Sequence, residues 1–193
     1  QITNGQAKKI NLKIASDYKF ETEKEVSTTS DISDFDVSPN GKLMALEING
    51  EIFVKKNNKD RKNSNNVSNH AYRDRNPQWI SDTELLFVSD RDGHNEIYKA
   101  VSRDTLVGLD RSLKISISKL TKSSEDVYNV LVSPDHKKLV YRVGRGNLML
   151  ADIEDGALSN SKAYSSGWAE AEDVSWSPDS KYIAYSQEDL DFD

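Results

Sequence analysis

Four times along the chain an apolar stretch runs into a Ser-Pro-Asp-Gly-like turn and straight out into a second apolar stretch. The copies read DFDVSPNGKLMAL (Asp34 to Leu46), PQWISDTELLFV (Pro77 to Val88), NVLVSPDHKKLVY (Asn129 to Tyr141) and DVSWSPDSKYIAY (Asp173 to Tyr185). The residues just before the turns, Val37, Trp79, Val132 and Trp176, lie 42, 53 and 44 residues apart. A repeat of this kind cannot bury its apolar face alone and must stack on its neighbours.

Each unit reads as strands. In the first, residues 32–38 form an inner strand, Pro39-Asn40-Gly41 the turn and residues 43–48 a second strand. Asn49-Gly50 is a two-residue hairpin signal, from which 51–55 returns as a third strand. Strands at 85–89 and 96–101 flank Asp90-Arg91-Asp92-Gly93, and strands at 139–143 and 147–153 flank Gly144-Arg145-Gly146. Outer, more polar strands are expected at 65–69, 114–120 and 157–163. The segments LMAL, LLFV, LVY and YIAY are continuously apolar, which suits sheets covered on both faces. Four-stranded antiparallel units at roughly 40–50 residues are blades of a β-propeller. The expectation is therefore all-β, a partial propeller of about four blades, at 32–71, 72–121, 122–165 and a partial 166–193. Residues 102–111 are an insertion in the second unit, and 1–31, with strand-like pieces at 10–15 and 24–28, belong to the outer part of a preceding blade.

Composition narrows the function. The net charge of −6 argues against nucleic acid, which asks for a basic face. With no cysteine there is no disulfide, thiolate chemistry or Cys-ligated zinc. No apolar run approaches the length of a membrane-spanning helix. The chain opens on Gln1 rather than Met, so the natural N-terminus is expected upstream, and cytoplasm and periplasm both stay open.

Chemical motifs are sparse. The histidines, His70, His94 and His136, all fall in loops or turns, and no GxSxG elbow is present, so no catalytic residue is assigned. Asp90-Arg91-Asp92-Gly93-His94-Asn95-Glu96 alternates oxygen ligands around a glycine but lacks the remaining positions of a calcium loop. Asp and Gly make such turns without metal, and no metal or cofactor is expected. Gly144-Arg145-Gly146 is too short to cradle phosphate and reads as a hairpin turn. Lys55, Lys56, Lys59, Arg61 and Lys62 could touch an acidic partner, although interleaved Asn57, Asn58 and Asp60 favour a solvated loop. Asn66-Val67-Ser68 is a sequon, relevant only to a eukaryotic secretory setting. Trp79 and Trp176 sit at equivalent positions and read as packing between blades. Trp168, in Ser166-Gly167-Trp168-Ala169, is off that register and is the aromatic nominated for peptide or partner contact.

Ser177-Pro178-Asp179-Ser180-Lys181, with Trp176 before it and Ile183-Ala184-Tyr185 after it, resembles the repeats of TolB-like propellers. A longer stretch is similar to the propeller of tricorn-type serine peptidases. It runs from Asp36-Val37-Ser38-Pro39-Asn40-Gly41-Lys42 through Asn49-Gly50-Glu51-Ile52-Phe53-Val54, Asn66-Val67-Ser68 and Arg73-Asp74-Arg75-Asn76-Pro77-Gln78-Trp79 to Ser89-Asp90-Arg91-Asp92-Gly93-His94-Asn95-Glu96-Ile97-Tyr98. The second unit departs by lacking the turn proline (Ile80-Ser81-Asp82-Thr83), and the third has His136 where glycine is usual. In that family the propellers precede a PDZ-like domain and a Ser/His catalytic region, neither of which is matched here. The resemblance implies a non-catalytic scaffold that frames or gates peptide access to a catalytic core elsewhere, with peptides and the parent's other domains as partners. A TolB-like interaction module without an enzyme is the alternative. The same propeller coupled to an amidohydrolase or prolyl-peptidase-like domain is a third. An open arc of blades also invites self-association.

Overall fold

The computed structural model describes residues 30–104, 106–167 and 169–187, together with 2–3, 6–7 and 27. The chain divides into two compact units, Gln1–Ser30 and Asp31–Asp193. In the first, β1 (Ile2–Thr3) pairs antiparallel with β2 (Gln6–Ala7). The strand-like pieces expected at 10–15 and 24–28 lie outside the described residues, Ser27 apart.

Every regular element described in the second unit is a strand, and neighbours in sequence are neighbours in the sheet. The first blade is β3 (Ile32–Val37), β4 (Leu43–Ile48), β5 (Glu51–Lys56) and β6 (Ser64–Asn66). The second is β7 (Asp74–Trp79), β8 (Glu84–Ser89), β9 (Glu96–Ser102) and β10 (Ile115–Lys119). The third is β11 (Val127–Val132), β12 (Lys138–Val143), β13 (Asn147–Glu154) and β14 (Ala157–Ser165). A last sheet has two described strands, β15 (Ala171–Trp176) and β16 (Ile183–Gln187). The sheets follow one another without closing a ring, as a partial β-propeller.

The turn chemistry explains the repeat. Ser38, Ser133 and Ser177 each donate a hydroxyl hydrogen bond to the Asx carboxamide or carboxylate two residues on, at 3.0, 2.7 and 2.6 Å. Each hydroxyl also accepts the N–H five residues on, from Leu43, Lys138 and Tyr182. This side-chain scaffold holds Gly41, His136 and Ser180 at positive φ (71°, 57° and 59°), in the left-handed region where glycine is cheapest. The second blade, without the proline, closes a shorter turn in which Ser81 accepts the N–H groups of Thr83 and Glu84.

The core is a series of slabs between blades. Ala45, Ile52, Val54 and Val67 of the first blade meet Trp79, Leu85, Phe87 and Tyr98 of the second. Leu86, Val88 and Ile97, on the second blade's other face, meet Val127, Val130, Leu139 and Tyr141 of the third. The run LLFV thus divides its side chains between two interfaces, the environment its unbroken hydrophobicity implies. The third slab is thinner: Val140, Leu148 and Ala171 are buried, with Trp176, Ile183 and Tyr185 only partly covered.

The two equivalent tryptophans therefore differ. Trp79 is fully buried and its indole N–H finds no acceptor among the described residues, whereas Trp176 is half-buried and its Nε1 donates to the Leu131 carbonyl at 3.1 Å. Trp79→Ala is expected to cost about 3–5 kcal/mol of stability, and Trp176→Ala clearly less, in urea unfolding followed by fluorescence of the remaining tryptophans.

Candidate functional site

The first strands of the sheets, β3, β7, β11 and β15, adjoin one another, so their free edges face the axis of the arc. A free edge exposes backbone N–H groups that need acceptors. Here polar side chains of the preceding blade supply them. Asp36 Oδ2 accepts the Trp79 N–H at 2.7 Å, and Glu47 Oε2 accepts that of Asn76 at 3.0 Å. One blade on, Asn76 Oδ1 accepts the Val130 N–H at 2.7 Å and Gln78 Oε1 that of Val132 at 3.2 Å. In β3 the residues serve themselves: Asp34 and Asp36 accept the N–H of Phe35 and Val37, each at 2.8 Å. Asn76 also donates through Nδ2 to Asp34 Oδ2 at 3.3 Å, which links the side chains into a row.

A bulge makes this geometry. Asn76, Asn129 and Asp173 occupy equivalent positions, three residues before Trp79, Val132 and Trp176, and all have φ near 50°. Asn and Asp tolerate this conformation better than other non-glycine residues. The ladder shifts register there in β7, β11 and β15. An Asx three residues ahead of the turn hydrophobe was the available sequence signal, and motif reading passed over it. The same rim displays Phe35, 59% exposed, and the exposed Glu172, Asp173 and Ser175. With Glu172 and Asp173 exposed it is acidic, a surface chemically suited to cations.

A second polar network lies on the β8–β9 hairpin. Asp74, fully buried, pairs through Oδ1 with Arg91 Nη2 at 3.0 Å, and its Oδ2 has no partner among the described residues. The Arg91 guanidinium stacks over Tyr98 and Phe87, 4.9 and 5.2 Å from the ring centroids. Tyr98 donates to Asp92 Oδ2 at 2.6 Å, and Lys119 lies 3.2 Å from both Asp92 and buried Glu96. Glu96 also accepts from Thr121 Oγ1 and the Ser123 N–H. The Tyr98 bond, then Lys119, hold the Asp92 carboxyl below its ordinary range, and burial followed by the Asp92 bond pushes the Tyr98 phenol up.

The carboxylates of the calcium-like sequence thus face protein donors, with Asp90 Oδ1 accepting the Arg73 N–H. Among the described residues no group of three or more His, Asp or Glu could hold a metal ion. The histidines are scattered. His70 stacks on Tyr72, His94 Nε2 meets Glu96 Oε1 and the Ser123 carbonyl, and His136 Nδ1 meets the Trp79 carbonyl. None of these contacts joins an imidazole to a serine hydroxyl. Gly144-Arg145-Gly146 is the β12–β13 turn, and Asn66 is tied to Glu51 and the Asn69 N–H. Trp168 lies outside the described residues. Beside it, Glu170 pairs with Arg142 Nη1 at 3.2 Å and the Ala169 carbonyl accepts from Gln187.

No protein-family model matches the chain, nor does any curated protein sequence. Solved structures do. The crystal structure of the tricorn protease is 20% identical, with a TM-score of 0.58, over 83% of this chain and 15% of that one. TolB from Acinetobacter baumannii is 20% identical, with a TM-score of 0.56, over 85% of this chain and 40% of that one. The fold is a TolB- and tricorn-type propeller, in part. A puromycin-hydrolyzing peptidase of Mycobacterium tuberculosis shares it at 17% identity and a TM-score of 0.52, over 69% of this chain and 22% of its own. The chain thus spans less than half the length of each of these structures.

Two outcomes test the site. Burial pushes the Asp36 carboxyl above its ordinary value of 3.8, against the bonds from Trp79 and Val37. The folded chain then holds this proton more tightly than the unfolded chain, so Asp36 subtracts stability as pH rises through its shifted value. Asp36→Asn sets an amide NH2 against the Val37 or Trp79 N–H, so it should destabilise the chain. The loss should be smaller at pH 7 than near pH 3 in unfolding titrations, because the parent carries the cost of the buried charge only at the higher pH. Arg91→Ala strands buried Asp74 and should cost about 3–5 kcal/mol. Arg91→Lys should recover little of it, because an ammonium cannot stack and pair as the planar guanidinium does.

Proposed function

We propose that the chain is the non-catalytic propeller part of a tricorn-like serine peptidase, framing or gating the access of peptides to a catalytic core outside this chain. The observation that carries the reading is the motif order from Asp36 to Tyr98, lying on a fold shared with the tricorn protease over 83% of the chain. The division into blades at 32–71, 72–121, 122–165 and 166–193 belongs to this reading. The exposed carboxylates Glu172 and Asp173 beside the axial edge support it, because they can attract the cationic groups of a peptide. Trp168 is the proposed aromatic contact for a peptide or partner.

A TolB-like module that binds protein partners with no enzyme attached is the second reading. The similarity to TolB over 85% of the chain favours it.

The parent gene separates the two. A PDZ-like region followed by a Ser/His peptidase region downstream is expected, and absence of both sinks the peptidase reading. The chain alone should turn over no peptide substrate. Turnover abolished by substituting a residue within Gln1 to Asp193 would contradict a scaffold role.

A further inference from the structure

We propose that the outer edge of the first blade, with the loop that leans on it, is a docking surface for an anionic lipid bilayer. The loop 103–114, between β9 and β10, displays Leu106 at 92% exposure and Leu113 at 89%. Single exposed leucines are ordinary, but these two stand on a loop built to hold them. The Asp104 carboxylate accepts the N–H groups of Leu113 and Lys114 and the Ser112 hydroxyl, while its carbonyl accepts the Val107 N–H. Both leucines therefore emerge close to Asp104. Leu109 turns the opposite way and is buried between the first two blades. Asn65 of β6 clamps the loop onto the first blade, donating to the carbonyls of Leu109 and Ser112 at 2.8 Å each.

Charge identifies the occupant. Asn65 lies three residues after the basic segment 55–62, and Ser64 pairs with Lys55 in the ladder. Segments 55–62 and 103–114 together carry eight Lys and Arg against three Asp, a local +5 in a chain whose net charge is −6. Among these, Lys56, Lys59, Arg61, Lys62, Arg103, Arg111 and Lys114 are exposed. Protruding leucines on a loop held against a basic segment suit a fluid acyl phase beneath anionic headgroups, which accepts them without a matching pocket. A protein partner would instead need a preformed apolar slot with an acidic rim.

The test is co-sedimentation of the 193-residue chain with vesicles of about three parts phosphatidylglycerol to seven of phosphatidylcholine, against pure phosphatidylcholine. Binding is expected to the anionic vesicles alone, falling as salt rises. Leu106→Ser with Leu113→Ser, and separately Lys59→Glu with Lys62→Glu, should each weaken partition about tenfold with the unfolding midpoint unchanged. No binding to anionic vesicles at low salt overturns the proposal, as does binding indifferent to the leucine pair or equal on pure phosphatidylcholine. A leucine-dependent complex with an acidic protein, without vesicle binding, also overturns it and assigns the surface to that partner.

Discussion

The rest of the structure depends on how each blade satisfies the free edge of the next. A sheet whose first strand faces the axis leaves a row of backbone N–H groups without a ladder partner. Asp36, Glu47, Asn76 and Gln78 reach across to receive those of Trp79, Asn76, Val130 and Val132. The bonds run from one blade to the next in a fixed direction, so they set how neighbouring sheets stand as well as capping an edge. The bulge at Asn76, Asn129 and Asp173 belongs to the same device, since its left-handed residue re-aims the strand beside the axis. Where Leu131 replaces the polar residue, the blade interface turns to another bond, from the Trp176 indole to the Leu131 carbonyl.

Hydrophobic burial supplies the driving force between those polar links. Each central strand contributes to two slabs, which explains why the second blade is the most completely buried of the described sheets. Its outward hairpin then bears a charged network that a thin sheet edge could not shelter. Arg91 is held between two aromatic faces and a buried carboxylate, and Lys119 between Asp92 and Glu96. This cluster joins β7, β8, β9 and β10 and ties the loop sequence Ser89 to Glu96 to the blade's interior. Its composition looks like a ligand loop, and its geometry is that of a brace.

Much of the fold was legible because the repeat couples turn chemistry to apolar runs. Leu43–Ile48 and the start of β13 at Asn147 fall where the pattern places them, since Asn49-Gly50 and Gly144-Arg145-Gly146 punctuate the hairpins unambiguously. The outer strands were placed less sharply: β6 spans Ser64–Asn66, where 65–69 was expected, because a rim strand has little hydrophobic periodicity to mark it. The insertion was visible as extra length, but its packing was not, because nothing local shows that Leu109 is buried while Leu106 and Leu113 are exposed. The axial acceptors were invisible for a related reason. Asp34, Asp36, Asn76 and Gln78 look like ordinary polar residues of alternating strands until the adjacent blade is beside them.

Sequence by itself determined the blade as a unit, through local rules: a Ser-Pro-Asx turn organises its own hydrogen bonds, and a continuously apolar strand needs cover on both faces. Only the tertiary structure decided what the polar residues do. A carboxylate at Asp36, Asp92 or Glu96 could have faced solvent, a cation or a backbone N–H, and residues distant in sequence made the choice: Trp79 for Asp36, Lys119 for the other two. Local propensity acts within a few residues, whereas the partner of a buried charge is settled by which chain segments stacking brings within reach.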